Sequence, residues 1–394
     1  MRIAIIVPHF YPAMGGHEYY LARELVRDGQ EVRVITSDFL PTRYFRKPTR
    51  RHNGGSEFGD IEVRQLKSFY DLHGMPIFDP RDEISAFAPD VVLATEFYQL
   101  SSFRALSAAK ESGSGFIFAQ HMYEPPGSLW GLLWRGIAAT YGSSVIHGAD
   151  HAAPISNAAG RMLQSMGVPA SKMTVIPLGV DSEEFQQDRS REEAQESIGV
   201  SGEPAFLFVG RLEGVKGVRF LIPAYARALA VLPDSALLIR GDGVLRGELE
   251  AAASRLGIGE HVKFLPSLAR EKVPTLYAAS DVFVLPSLKE PFGLVALEAM
   301  SMGVPTVASR VGGLPDFVIP DSTGILVEPG DIASLADALI RMGKDEQFRV
   351  QMGRNSRRLV ESEFSYRIVA KKTMAMFQAV LGAASKPPLR LPAS

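Results

Sequence analysis

Two glutamates, Glu290 and Glu298, bracket the apolar run in LKEPFGLVALEAMS. Packing alone does not call for an acid at each end of such a run, so the pair points to a ligand. Pro291 disfavours helix at the residue before it and Gly293 allows a tight turn. Glu290 is therefore expected in a loop, with LVALEAM forming a helix that starts near Gly293. The first helical N–H groups, at Phe292, Gly293 and Leu294, can then receive a phosphate. Glu298, one turn further in, is badly placed for an anion but suits vicinal hydroxyls such as those of a ribose. A glycosidase acid and nucleophile pair is the rival chemistry. It needs carboxyl groups ~5 Å apart in a retaining enzyme or under ~10 Å in an inverting one, whereas this separation along a helix spans ~12 Å.

A second constellation is GRLEGVKG, with Arg211 and Lys216 on a glycine-bearing turn after an apolar strand. The planar fork of arginine, the compact charge of lysine and the close backbone approach that glycine permits suit a diphosphate. The bland alternative is a solvated basic loop. Both cations fall on a loop rather than in the core, so their removal is expected to cost turnover more than stability.

These residues need elements to hold them. IAIIV, the loop PHFYPAMGG, the helical pattern HEYYLARELVRDG and the strand EVRVIT form one run. AFLFVG, the loop RLEGVKG, the pattern VRFLIPAYARALAVL and the strand SALLIRGDG repeat that order. Each is strand, glycine-bearing loop, helix, parallel strand, the opening of a doubly wound sheet. VVLAT, GFIFAQH, APIS and TVIPLG continue the strands of the first half; VKFLP, DVFVLPS, PTVAS and GILVE continue those of the second. The expected fold is α/β with two Rossmann-like domains, residues 1–180 and 181–365, facing a central cleft. The polar stretch 181–202, with SREEAQESIG as a short surface helix, is the expected junction. A last helix near 366–381 is expected to cross back to the first domain, followed by a Pro-rich tail expected to be disordered.

At 394 residues and 46% apolar content the chain can bury a large core. Its 42 basic and 44 acidic residues nearly cancel, which argues against a nucleic-acid partner and leaves any anion to a local site. The absence of cysteine excludes disulfides, thiolate metal sites and cysteine nucleophiles and fits a cytoplasmic protein. The first apolar run is ended by Pro8, too short for a signal segment, and no run approaches the ~20 apolar residues of a membrane span.

Taken together, GRLEGVKG, the E-x7-E run EPFGLVALE, the GDG after LLIR, VKFLPS and the early PAMGGHEYY resemble the retaining GT-B glycosyltransferases of family four, across nearly the whole chain. The resemblance implies transfer of a sugar from a nucleotide-diphosphate sugar to a hydroxyl acceptor, with retention and without a metal or other cofactor. By position it implies that Arg211 and Lys216 neutralise the leaving diphosphate, that Glu290 contacts the donor sugar and that Glu298 binds the ribose. Gly16 matches the glycine that lets a loop close over the phosphate. His121 matches the histidine near the sugar, its alternative being an ordinary core or surface histidine. The base is expected against backbone near Lys263 to Leu268, with Leu265 among the binding residues. Asp316 stands where many relatives carry glutamate and Leu178 where asparagine is common, which leaves the class intact. Front-face attack, with the leaving phosphate taking the acceptor proton, is the family's commonly proposed route.

Other classes fit less well. A nicotinamide oxidoreductase is disfavoured because G-x-G-x-x-G is absent and E-x7-E would be unexplained. A sugar-nucleotide-binding protein or an epimerase without transferase activity is the standing alternative. On the acceptor side, Arg43, Arg46, Lys47, Arg50 and Arg51 cluster in residues 39–55, and SLWGLLWRG reads as an amphipathic helix. The cluster is either a solvated loop or the contact for an anionic acceptor, such as a lipid-linked or cell-envelope glycan at a membrane surface. The helix is either core-packed or peripheral to the membrane.

Overall fold

The computed structural model describes residues 1–10, 16–39, 58–69, 71–72, 75–125, 127–186, 189–266 and 270–384. The basic cluster at 43–51, Gly15 and the tail at 386–394 lie outside these residues, as do the side chains at 128–130. The chain divides into two compact units, Met1–Pro177 with Tyr366–Ser394, and Leu178–Ser365.

The first unit is built on a parallel six-stranded sheet: β1 (Arg2–Val7), β2 (Glu31–Ser37), β3 (Glu62–Leu66), β4 (Val91–Thr95), β5 (Gly115–Gln120) and β6 (His151–Pro154), in the order β3-β2-β1-β4-β5-β6. β1 lies between β2 (Ile3 opposite Val32) and β4 (Ile3 opposite Val91), so its residues are apolar on both faces. One face is covered by α1 (His17–Arg27), whose Leu21, Ala22 and Leu25 share a core with Ile3, Ile5, Val369, Ala370 and Phe377.

The second unit repeats the order. β7 (Ala205–Val209), β8 (Ala236–Arg240), β9 (Val262–Leu265), β10 (Val282–Leu285), β11 (Thr306–Ser309) and β12 (Gly324–Val327) are arranged β9-β8-β7-β10-β11-β12. The helices α2 (Val218–Leu229) and α3 (Leu294–Ser301) follow β7 and β10. The surface helix Arg191–Ile198 begins in a capping box of Ser190 and Glu193. Arg191 anchors that helix, donating through Nη1 to both oxygens of Asp281 at 2.6 Å. The last helix, α4 (Tyr366–Ala384), belongs to the first unit, where it supplies Val369, Ala370 and Phe377 to the core.

Two local expectations are corrected. TVIPLG forms no strand: Thr174 N–H donates to Ala152 O and Ile176 N–H to Pro154 O, and the pairing ends at Pro177, which has no N–H. The chain therefore stays with β6 up to that proline. β3 was not expected, because its EVRQL sequence is mostly polar; among the described residues it is an edge strand paired with β2 alone.

Candidate functional site

In both sheets the chain direction of winding reverses beside the central strand, between β1 and β4 and between β7 and β10. Loops leaving the carboxyl ends of those strands are where open α/β sheets bind ligands.

In the second unit, the loop after β7 carries Arg211, a 3-10 turn at Gly214–Lys216, and Gly217 at φ 67°. A Cβ at Gly217 would lie 1.8 Å from Pro286 O, so only glycine lets this turn press against the loop after β10. Leu288 N–H then donates to Val215 O at 2.8 Å. This contact brings Lys216 to Glu290: Nζ donates to Oε2 at 2.6 Å, and Ser287 Oγ donates to the same oxygen at 3.2 Å. Glu290 is only 6% exposed, a buried carboxylate held by an ammonium and a hydroxyl. This modifies the expectation drawn from loop placement, since losing Lys216 strands a buried charge.

Arg211 is not brought to that pair. It is largely exposed, and its Nη1 donates to Glu213 Oε1 at 2.7 Å on its own loop. The loop is backed by the GDG turn: a Cβ at Gly241 would meet Gly210 O at 1.8 Å, and one at Gly243 would meet Leu212 O at 2.4 Å. Gly293 caps α3 at φ 100°, where a Cβ would strike Leu314 Cδ2 at 2.6 Å. The Phe292 ring packs on Phe317 at 5.4 Å in the core, so Phe292 can offer a ligand only its main chain. Leu294, the first residue of α3, is half-buried.

Glu298 forms a separate group. Tyr277 Oη donates to its Oε2 at 2.7 Å. Burial raises the Glu298 carboxyl above its ordinary pKa, opposed by the Tyr277 hydrogen bond and the charge of Arg270. Burial, and then the Glu298 charge, push the Tyr277 hydroxyl far up. Arg270 is held by Glu184, Nε to Oε1 at 2.7 Å and Nη2 to Oε2 at 2.9 Å. Tyr277, Arg270 and Glu184 carry no motif and were not predicted. Leu265, opposite Arg240 in the β9–β8 register, closes β9, while the adjoining residues 267–269 lie outside the described ones. Asp316 sits in the 3-10 turn Leu314–Asp316, and Leu178 is a buried residue at the start of the second unit.

In the first unit, Gly16 precedes α1 at φ −65° and ψ 146°, and a Cβ there would meet nothing closer than Glu18 Oε2 at 3.5 Å. Among the described residues, the backbone of this unit therefore does not itself require glycine at 16. His121, after β5, lies with its Nδ1 3.5 Å from Glu96 Oε1 and its ring centroid 6.2 Å from that of His17. Burial lowers the His17 pKa to about 4, with Glu18 opposing and His121 adding to the shift. Tyr366 at the start of α4 stacks on Tyr20 at 4.8 Å and lies 5.6 Å from the His17 ring. Glu96 and His17 were missed. Their signal was only position, since Glu96 directly follows the apolar strand β4 and His17 opens the helix after β1.

Among the described residues, no group of three or more His, Asp or Glu could hold a metal ion. No helix among them is long and apolar enough to cross a membrane.

Two family models match adjoining halves of the chain: Glycosyltransferase Family 4 over residues 14–184 and Glycosyl transferases group 1 over 190–359. An uncharacterized glycosyltransferase of Methanocaldococcus jannaschii is 37% identical over 53% of this chain and 55% of its own. The D-inositol 3-phosphate glycosyltransferase of Corynebacterium urealyticum is 33% identical over 53% of this chain and 52% of its own. The chain thus spans about half the length of these curated relatives. Among solved structures, Anabaena HepE, crystallised with UDP, superposes with a TM-score of 0.75 over 96% of this chain and 100% of its own. At 22% identity that likeness speaks for the fold alone, two Rossmann-like units of the GT-B type.

Proposed function

Because the chain belongs to the group 1 glycosyltransferases of the GT-B fold, we propose that it moves a sugar from a nucleotide-diphosphate sugar to a hydroxyl acceptor with retention at the anomeric carbon. The observation that carries this reading is Lys216 held 2.6 Å from Glu290 at the switch point of the second sheet, beside the N-terminus of α3. A nucleotide diphosphate needs fixed positive charge where its phosphates depart, and a donor sugar needs acceptors for its hydroxyls.

In this reading Lys216, Arg211 and the N–H groups at Gly293 and Leu294 take the charge of the leaving diphosphate. Preorganised donors of this kind are worth several kcal/mol of transition-state stabilisation. Glu290 receives a hydroxyl of the sugar, Glu298 receives the ribose, and the main chain around Leu265 borders the base. His121, in the first unit, is read as a contact for the transferred sugar. The acceptor oxygen attacks from the face the diphosphate leaves, the sugar–phosphate bond breaks, and the acceptor proton passes to the departing phosphate oxygen. No metal is needed, because side chains and backbone dipoles carry the positive charge.

A thermal-shift panel with UDP, GDP, ADP and their sugars tests the donor assignment, since a ligand that binds only the native state raises apparent stability by mass action. One nucleotide series should stabilise the protein. Failure of every series, together with no nucleoside diphosphate released from any sugar donor, overturns the reading.

The acceptor is read as an anionic lipid-linked or cell-envelope glycan at a membrane surface. Support comes from the basic cluster in the sequence and from the helix Ser128–Ile137, where Leu132 is 64% and Leu133 47% exposed. Sedimentation with anionic vesicles at low salt should carry the protein down, and Leu132→Ser with Leu133→Ser should reduce it. Wild-type protein left wholly in the supernatant would assign a soluble acceptor instead.

A further inference from the structure

Among the described residues, three that are not glycine have positive φ: Ala88, Glu96 and Asp321. Ala88 and Asp321 are exposed, and Ala88 closes a helix in the usual left-handed way. Glu96 is different. It follows β4 directly, has φ 64°, and is 7% exposed. A glutamate gains nothing locally from this conformation, which short polar residues or glycine adopt more readily. Strained backbone held inside a fold marks a position whose side chain is wanted somewhere specific.

Where it goes is plain from its partners. Glu96 N–H donates to Ala119 O at 2.7 Å, tying the turn to β5. Its Oε1 accepts the backbone N–H of His121 at 3.2 Å and lies 3.5 Å from Nδ1 of the same residue. One carboxylate oxygen thus addresses both the main chain and the ring of His121. The remaining oxygen, Oε2, is buried, and the Tyr98 hydroxyl is hydrogen-bonded to this carboxylate.

We infer that Glu96 is a positioning residue for His121: it fixes the orientation of the ring and keeps the Nδ1 proton on the carboxylate side, so that Nε2 is presented as a hydrogen-bond acceptor. The role of the ring in turnover rests on the transferase reading; the geometry of the pair does not. A histidine with a proton on one nitrogen has its tautomer set by what that nitrogen meets, and here the meeting partner is an acid. Among the described residues, other ionisable neighbours are His17, kept neutral by burial, Glu18 beside it, and Tyr98, whose hydroxyl is pushed far up by burial and by the Glu96 charge. None of these replaces the carboxylate at Nδ1.

The test is nitrogen-15 NMR of the histidine side chains, assigned with a His121→Gln control, alongside donor turnover. Wild type should show His121 protonated at Nδ1 when neutral. Glu96→Gln, which keeps the shape and loses the charge, should lower the His121 pKa and mix its tautomers. It should also depress kcat roughly tenfold or more, with KM for the donor unchanged, and Glu96→Asp should recover part of both effects. Should Glu96→Gln fold poorly, Glu96→Asn tolerates the left-handed backbone and serves in its place. A wild-type His121 protonated at Nε2, or an unaltered tautomer and pKa in the Gln or Asn variant, overturns the inference. The NMR signature holding while no sugar donor turns over would overturn the transferase reading and leave the positioning role standing.

Discussion

The ammonium nitrogen of Lys216 lies 2.6 Å from Glu290 Oε2, although 74 residues separate the two in the chain. Their pairing joins the loop after β7 to the loop after β10, and it is enforced by Gly217, the one residue type that fits against Pro286 O. An ammonium has three donors, so Lys216 can keep Glu290 and still meet a phosphate oxygen. In the proposed reading, the pair places a phosphate ligand and a hydroxyl acceptor within one side chain's reach of each other.

Lys216 and Arg211 should separate in their effects. Lys216→Ala leaves the Glu290 carboxylate buried without its cation and should cost about 1–3 kcal/mol of stability as well as turnover. Arg211→Ala removes an exposed group whose ion pair with Glu213 is worth at most about 1 kcal/mol, and should depress turnover with little change in stability. Urea denaturation and steady-state kinetics on both variants check this. The double variant Lys216→Met with Glu290→Gln should regain part of the stability lost by Lys216→Ala.

Glu298→Gln should weaken binding of the nucleoside diphosphate by a factor of about ten or more, because a charged acceptor for the ribose hydroxyls is lost. Without ligand the same variant should be no less stable at neutral pH. Burial raises the folded-state pKa of Glu298 above its ordinary 4.5, so the folded chain holds that proton more tightly than the unfolded chain. Its contribution to stability therefore declines as pH rises from about 4.5 through the raised value. The variant should flatten this segment of the stability profile, measurable by calorimetry with isothermal nucleotide titrations alongside.

His17 titrates in the opposite sense. Its folded pKa of about 4 lies below the ordinary 6.5, so the unfolded chain binds the proton first. Stability from this group is fully present above pH 6.5 and is lost as pH falls towards 4. His17→Gln should make the melting temperature less sensitive to pH across that window. An unchanged slope would show that the ring is not desolvated in solution.

Turnover should persist in EDTA. The positive charge assigned to the diphosphate comes from Lys216, Arg211 and the start of α3, whereas hard cations are held by clustered carboxylates, and the described residues offer no such cluster. Complete loss of activity that returns with a divalent ion would assign the charge to a metal instead.

Much of the architecture was legible in the residues themselves. Buried parallel strands must be apolar on both faces, so IAIIV, VVLAT, AFLFV and VFVL read as strands without any partner in view. The break at Pro291 and Gly293 likewise placed Glu290 in a loop and Glu298 on a helix, because backbone sterics act locally. Polarity hid β3, since an edge strand needs no apolar run, and Pro177 cut short a run whose composition promised a strand. What each charged group touches was beyond local rules. A parallel crossover returns every strand in the same direction, gathering loops that are distant in sequence at one edge of the sheet. Only that gathering decides that Lys216 meets Glu290, that Tyr277 meets Glu298, and that Glu96 bends out of β4 to reach His121. Residue types and spacing set which chemistry was available; the register of the two sheets selected the partners.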